Sequence, residues 1–180
     1  MKLNVYKDQY NLEGKTAIVT GGAGILGAHF CSGLAEFGAN VAVVDSNHNA
    51  AKRVANEIQE RYGVLTLAVN CDVSDKQSVQ SMVATVKEKF GQINILHNNA
   101  AGKSDDLQAF FAPFEEYRLD QWRKIMSINI DGMFLVAQAV GKLMVEQGTG
   151  GSIIQTSSIY GVIAPDQRIY TNSSKPVSYS

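Results

Sequence analysis

A short apolar run that ends in a cluster of glycines restricts what this chain can fold into. The run "TAIVT" covers Thr16–Thr20 and is followed at once by "GGAGILG". β-Branched residues without polar alternation are typical of a strand that is buried on both faces of a parallel sheet. Ala23 to Phe37 then carries apolar residues at helical spacing and stops at Gly38. The pattern predicts a strand, a tight turn and a helix in direct succession.

The same alternation continues along the chain. We predict further strands at 40–45, Val64–Val69, 93–98 and 152–157, and further helices at Ala50 to Tyr62, from the Ser74–Gln77 capping box to about Phe90, and from about Asp120 to Gln147. Five alternations of this length imply an α/β fold with a doubly wound parallel sheet, the Rossmann fold, in a single domain over residues 1–180. Ligands of such folds bind at the carboxyl ends of the strands.

Charge and cysteine content exclude several classes of function. The net charge is −1 and the pI is about 6.3, so the chain has no electrostatic footprint for nucleic acid or an anionic membrane. Cys31 and Cys71 are far apart and are expected to be buried thiols in a reducing compartment. The amino terminus is too polar for a signal peptide, and polar residues interrupt the apolar stretch Gly132 to Val145. We expect a soluble, cytoplasmic protein without a metal site.

The glycine cluster has the spacing of a dinucleotide-binding turn. Gly22, Gly24 and Gly27 satisfy GxGxxG, and Asp45 ends the next predicted strand 23 residues after Gly22. Glycines let the backbone approach a pyrophosphate, whose charge lies at the helix N-terminus. Asp45 would then accept hydrogen bonds from the adenosine ribose. The alternative is a tight turn beside a solvent-facing aspartate.

The residues around Asp45 also bear on the type of cofactor. A carboxylate at this position repels the 2′-phosphate of NADP, and Ser46, Asn47 and His48 supply no arginine to bind one. The sequence therefore favours NAD over NADP.

Five motifs in order resemble those of the short-chain dehydrogenase/reductase family, from about Leu12 to the last residue. They are "LEGKTAIVTGG", "CDVSD", "HNNAAG", "SINIDGMF" and "SIIQTSSIYG". The resemblance implies a cofactor site formed by Gly21, Gly22, Gly24, Ile25, Leu26, Gly27, Asp45, Asp72, Val73, Asn98, Asn99 and Ala100, and a catalytic set that includes Asn129 and Ser158. It also implies a homodimer or homotetramer.

The glycine loop departs from the usual pattern of the family. The single-domain branch usually has TGxxxGxG, which would place glycine at Ile25, and Ala101 stands where glycine is usual. The spacing TGxxGxxG is similar to that of the branch with sugar-nucleotide epimerases and dehydratases, which we keep as the alternative. The later motifs favour the single-domain branch.

Two polar residues near predicted strand ends are candidates for the chemistry. Alternation along a strand would aim Ser157 and Ser158 in opposite directions, and the family position favours Ser158 to orient the substrate oxygen. Asn129 lies in an apolar helix, where its amide needs buried partners. It is either a structural bond or, as the resemblance implies, part of a proton relay. His97 and His29 are expected to be packing residues.

The last 13 residues, "RIYTNSSKPVSYS", contain two candidates for the tyrosine acid/base. Tyr170 lies five residues before Lys175, whereas a pair on one helix face needs four, and Pro176 forces Lys175 out of the helical region. Pro176 instead suits the first turn of a new helix that contains Tyr179. The stretch resembles the start of the family's YxxxK helix. The lysine would fall at position 183, so we expect the chain to end within the catalytic helix.

These features predict an NAD-dependent oxidoreductase that interconverts a secondary alcohol and a ketone. Lys103, Asp105, Asp106, Gln167 and Arg168 lie in loops near strand ends and favour a small polar, sugar- or polyol-like substrate. The alternatives are a sugar-nucleotide epimerase or dehydratase and a non-catalytic dinucleotide-binding fragment. The 180 residues alone are expected to be inactive, because the catalytic lysine lies beyond them.

Overall fold

The computed structural model describes residues 9–102, 106, 109, 112–163 and 166. Five parallel strands form one sheet in the order β3-β2-β1-β4-β5. The strands are β1 Thr16–Thr20, β2 Asn40–Asp45, β3 Thr66–Asn70, β4 Ile95–Asn98 and β5 Ser152–Gln155. The helices are α1 Ile25–Glu36, α2 His48–Tyr62, α3 Lys76–Phe90, α4 Leu119–Met126 and α5 Met133–Gln147. The predicted doubly wound parallel sheet is confirmed.

The direction of winding reverses at β1, which pairs with β2 on one side and β4 on the other. Loops that leave β1 and β4 therefore diverge and open a crevice at the carboxyl edge of the sheet. Thr20, Asp45 and Asn98, the last residues of three strands, all lie at this edge. The arrangement brings the glycine turn and the predicted cofactor residues to one side of the molecule.

Helices cover both faces of the sheet, and each face has its own core. Ile18 and Val19 are adjacent in β1 and fully buried, but they belong to different apolar clusters because strand residues alternate between faces. One cluster packs α3 and α5 on the sheet, and the other packs α1 and α2. Cys31 and Cys71 are buried and free, as expected.

Two details of the predicted elements were wrong. α3 begins after Asp75, whose carboxylate accepts hydrogen bonds from the backbone N–H groups of Gln77 and Ser78 at 3.2 and 3.0 Å. The cap is therefore Asp75, and the Ser74 hydroxyl instead donates to Asp72. β5 ends at Gln155, so Ser157 and Ser158 lie beyond the strand and strand alternation does not orient them.

The predicted long helix consists of α4 and α5 joined by a π-helical segment, Ser127–Gly132. By length and composition, the combined stretch Leu119–Gln147 is the one helix among the described residues that could cross a membrane. Val136 and Val140 are fully buried against the sheet, so we interpret it as a core helix of the domain.

Candidate dinucleotide-binding site

The glycine turn between β1 and α1 is tightly packed at Gly21, Gly22 and Gly27 and less crowded at Gly24. A Cβ on Gly22 would lie 2.9 Å from the carbonyl oxygen of Val19. Gly21 has a φ of 61°, and a Cβ there would lie 3.0 Å from Ala100 Cα. A Cβ on Gly27 would lie on the carbonyl oxygen of Gly21. Gly24, which precedes the first turn of α1, would meet only the Gly21 carbonyl at 3.3 Å. The fold itself thus requires Gly21, Gly22 and Gly27, whereas Gly24 is the least crowded of the four.

Thr20 ties the glycine turn to the end of β4. Its hydroxyl donates to Asn98 Oδ1 at 3.1 Å and accepts from the N–H groups of Asn99 and Ala100 at 2.9 and 3.0 Å. These bonds use the one donor and both acceptor positions of the hydroxyl. Asn98 in turn donates to the Met133 carbonyl at 2.8 Å. Asn98 and Asn99 therefore fix the crevice, and Ala100 lines it.

Asp45 is held by the backbone on both sides of the crevice mouth. Oδ2 accepts from Ala23 N in the glycine turn at 3.1 Å, and Oδ1 accepts from Asn47 N at 2.9 Å. Each carboxylate oxygen keeps a further lone pair. The carboxylate is therefore oriented by the chain and remains able to accept from a hydroxyl.

A cleft of about 260 Å³ lies at this edge. Its walls are formed by the glycine turn, the ends of β2 and β3, and the loop after β4, and they comprise Gly21, Val44, Asp45, Ser46, Cys71, Asp72, Val73, Ala100, Ala101, Gly102 and Ile128. Asp45 and Asp72 are acidic, and none of the described lining residues is basic. Burial raises the pKa of the Cys71 thiol above its usual range, so that group is neutral in the cleft.

Asp72 and Val73 lie at the wall formed by the loop after β3. Asp72 Oδ1 accepts from the backbone N–H and the hydroxyl of Ser74 at 2.9 and 2.7 Å, and Asp72 N donates to Ser78 Oγ at 3.0 Å. Val73 is buried and packs against Gly132 of the π segment, where a Cβ would lie 2.7 Å from Val73 Cγ2. The wall is thereby attached to both α3 and the long helix.

Asn129 lies in the π segment and binds one residue of the loop after β4. Its Oδ1 accepts from Gly102 N at 2.7 Å, and its Nδ2 donates to Gly102 O at 3.3 Å. The amide thus has the partners that its position demands. A Cβ on Gly102 would lie 2.8 Å from Ile128 Cδ1, so Gly102 is needed for this close approach. Asn129 holds the cleft wall, and its predicted role in a proton relay stays a prediction.

Some of the remaining residues that the sequence assigned to the site lie in the described part of the chain, and the others lie outside it. Ile25 and Leu26 are exposed in the first turn of α1, and Gly22 is buried below it. Ser158 is exposed just after β5, and its carbonyl accepts from Gly161 N at 2.9 Å. Tyr170, Lys175 and Tyr179 lie outside the described residues, as do Lys103, Asp105, Gln167 and Arg168.

Sequence reasoning missed several residues of the site. Thr20, Ser46 and Gly102 were not assigned to it, although each binds or lines the crevice. A polar residue that ends an apolar strand just before glycine is the signal that could have identified Thr20. Its partners lie 78 to 80 residues away, so spacing alone could not name them.

A crevice at the switch point, a glycine turn that leads into a helix and a carboxylate at the end of β2 define a dinucleotide-binding α/β protein. Residues 15–176 match the family model for short chain dehydrogenase. The chain belongs to the short-chain dehydrogenase family.

Named relatives include polyol dehydrogenases. The chain is 39% identical over 166 residues to D-threitol dehydrogenase of Mycolicibacterium smegmatis, covering 92% of this chain and 61% of the relative. It is 34% identical over 174 residues to NADP-dependent mannitol dehydrogenase of Alternaria alternata, covering 94% and 63%. A structure of NAD+-bound xylitol dehydrogenase matches with a TM-score of 0.78 at 34% identity, covering 86% of this chain and 56% of that one. The chain thus spans about three fifths of the length of these relatives.

Proposed function

We propose that the protein containing this chain is an NAD-dependent oxidoreductase that interconverts a secondary alcohol and a ketone of a small polyol- or sugar-like substrate. The observation that carries the proposal is the cleft with Asp45 held at its mouth and no basic residue among its described walls. Such a cleft suits the neutral ribose of NAD and opposes the 2′-phosphate of NADP.

The residues present fit a dinucleotide. The turn from Gly21 to Gly27 would hold the pyrophosphate at the start of α1, which no side chain caps and where Gly24 is the least crowded glycine of the turn. Asp45 would accept from the ribose hydroxyls, and Asp72 and Val73 would border the adenine. When bound, the nicotinamide accepts or supplies the hydride. The chain supplies position and electrostatics.

Three residues are proposed for proton handling and substrate orientation. Tyr179 exchanges the proton of the substrate hydroxyl, and Ser158 hydrogen-bonds the substrate oxygen. Asn129 is a link in a water-mediated proton relay, while its side-chain amide holds Gly102. The phenol of a free tyrosine has a pKa near 10, so Tyr179 needs a neighbouring cation, which the family pattern places one helical turn further on.

The substrate class follows from the relatives and from the loops. Threitol, mannitol and xylitol occur in the names of the relatives described above, and each carries adjacent hydroxyl groups. Polar residues of the loops at the carboxyl edge, such as Asp106, suit such a compound better than a steroid. We further propose a homodimer or homotetramer in the cytoplasm.

A sugar-nucleotide epimerase or dehydratase is the second candidate, because the loop spacing TGxxGxxG favours it. The structure has Gly24, rather than residue 25, at the start of α1, and Ile25 is 86% exposed. A cofactor that copurifies and stays bound through turnover would support this candidate. Net formation of NADH from a polyol would reject it.

The proposal is tested by binding and by turnover. We expect the protein to prefer NAD over NADP by at least about tenfold, or about 1.4 kcal/mol, and to reduce NAD with D-threitol or xylitol. Asp45→Ala should erode the preference. Asp75→Ala is the matched control, because this exposed acid caps α3 outside the cleft. Equal or tighter binding of NADP by the unmutated protein would contradict the assignment of Asp45.

A further inference from the structure

The carboxylate that faces the proposed cofactor depends on the peptide that follows it. Asp45 is the last residue of β2, and its Oδ1 accepts from Asn47 N two residues later at 2.9 Å. The orientation of the carboxylate therefore depends on where the Asp45–Ser46–Asn47 backbone runs. Ser46 and Asn47 are exposed, so packing does little to fix that backbone.

The side chain of Asn70 holds this backbone from the neighbouring strand. Backbone pairing of β2 and β3 ends at the partners Asp45 and Asn70, after which Cys71 N donates to Asp45 O at 3.1 Å. Asn70 Nδ2 donates to Ser46 O at 2.7 Å and lies 3.4 Å from Asp45 O. The side chain thus extends the hydrogen-bonding ladder by one rung, beyond the end of the two strands.

Stability alone is a weak explanation for this bond. Asn70 and Ser46 are both exposed, and water would satisfy an exposed carbonyl at little cost. Asparagine at a strand end commonly bonds to its own turn. Here the acceptors are the carbonyls of Asp45 and Ser46, 25 and 24 residues earlier, so the bond holds the residue that carries the discriminating carboxylate and the one after it.

We propose that Asn70 is a positioning residue for Asp45 and thereby a determinant of the choice between NAD and NADP, an inference that rests on the proposed function. When Ser46 O is anchored, Asn47 N stays on Asp45 Oδ1 while Ala23 N stays on Oδ2. The carboxylate then faces the ribose position and opposes a 2′-phosphate. Without the hydrogen bond from Asn70, the peptide after Asp45 rotates and the Asp45 carboxylate leaves this position. Both the binding of the ribose and the opposition to the 2′-phosphate then weaken.

The test compares Asn70→Ala and Asn70→Leu with Asn40→Ala. Asn40 is the matched control, because its Oδ1 accepts from Leu65 N at 3.2 Å at the opposite end of the same β2–β3 pair. The dissociation constants of NAD and NADP are measured for each variant, together with its thermal midpoint. The ratio of the two constants is the readout that a merely structural bond would not change.

Asn70→Ala is expected to raise the dissociation constant of NAD about three- to tenfold, the range of one lost hydrogen bond. The constant of NADP should stay level or fall, because the opposition to its 2′-phosphate weakens as well. Asn70→Leu should lower the selectivity similarly, because its side chain has a similar size but no N–H group to donate to Ser46 O. Asn40→Ala should lower the thermal midpoint similarly and leave the selectivity unchanged.

Two results would overturn the inference, and they are distinguishable. If the unmutated protein binds NAD selectively but Asn70→Ala or Asn70→Leu keeps its selectivity within about twofold, Asn70 has no positioning role. If the unmutated protein binds neither dinucleotide, the proposed function fails and this inference fails with it.

Discussion

Strands β1 and β5 belong to one parallel sheet and have similar apolar sequences, yet their environments differ. Every residue of β1 is buried, whereas in β5 Ile153 and Ile154 are 41% and 44% exposed. β1 has a paired strand on each edge and helices on both faces, whereas β5 pairs with β4 on one edge within the described residues. Burial is thus set by neighbours and not by the apolar run itself.

This difference in burial divides the sheet into a part proposed to bind the cofactor and a part proposed to carry the catalytic residues. The glycine turn follows β1 and Asp45 ends the neighbouring strand β2, and hydrogen bonds within the described residues fix the positions of both. We call these two strand ends the β1 region. The β5 region leads to Ser158 and to the stretch that contains Tyr179, which lies outside them. We therefore expect cofactor binding to depend on the β1 region and turnover to depend on what packs around β5.

The largest expected effect is on turnover. Tyr179→Phe should reduce the dehydrogenase activity of a chain extended to the length of its relatives by at least about a hundredfold, because acid/base groups contribute 10² to 10⁴. Tyr170→Phe is the matched control and should keep most of the activity. Both variants should bind NAD like the unmutated protein, as a titration of NADH fluorescence would check.

A polypeptide of the 180 residues alone should bind NAD and lack appreciable turnover, because no lysine follows Tyr179 within it. Turnover by this polypeptide, or loss of activity in Tyr170→Phe, would show that the terminal stretch was wrongly assigned.

The second effect concerns the glycine turn. Gly27→Ala should destabilise the protein by about 3 kcal/mol or more, because the new methyl group would lie on a backbone carbonyl that cannot yield. Gly24→Ala should lower the thermal midpoint much less than Gly27→Ala. It should weaken NAD binding, because the methyl group would lie where the pyrophosphate is proposed to bind.

Gly33→Ala is the control for both glycine variants. Gly33 is exposed within α1, and a Cβ there would meet no atom within 4 Å, so alanine should stabilise the helix by about 0.5–1 kcal/mol. Urea unfolding and NAD titration separate the two kinds of effect. If Gly24→Ala bound NAD as tightly as the unmutated protein, the pyrophosphate would not lie at Gly24.

The sequence could predict the features that local patterns determine, but not those that depend on contacts between distant residues. The strand at Thr16–Thr20 and the helix after it follow from local periodicity and glycines, as does Asp45 at the carboxyl edge. The bonds of Thr20 and of Asn129 join residues 27 to 80 positions apart, so no local pattern contains them. The π segment was missed because one extra residue per turn hardly changes a helical pattern.

The third effect concerns assembly. The long helix buries Val136, Val140, Leu143 and Met144 against the sheet. Ile130, Phe134 and Val145 are 59%, 61% and 81% exposed and lie on another side of the helix. We expect this outer stripe to contact a second subunit.

Phe134→Lys should therefore weaken self-association by about tenfold or more in sedimentation equilibrium, because it places a charge in an apolar contact. Leu119→Lys is the control, since Leu119 is 60% exposed at the start of α4, outside that stripe. A monodisperse monomer at micromolar concentration would contradict the assembly.

The smallest effect is a pH dependence at the junction of the two regions. The ring of His97 in β4 lies 4.1 Å from the ring of Phe30 in α1, and its Nε2 is 3.2 Å from Thr156 Oγ1 just after β5. Burial lowers the pKa of His97 below its ordinary 6.5. Between the lowered pKa of the folded chain and the ordinary pKa of the unfolded chain, the unfolded chain binds more protons than the folded one. The free energy of unfolding therefore increases with pH up to about 6.5, and this contribution is lost as the pH falls through the lowered pKa.

His97→Phe should keep the ring contact and make the urea midpoint independent of pH across this range. Thr156→Val should leave most of the slope, because burial is the cause of the shift. A slope that persists in His97→Phe would place its origin in another group.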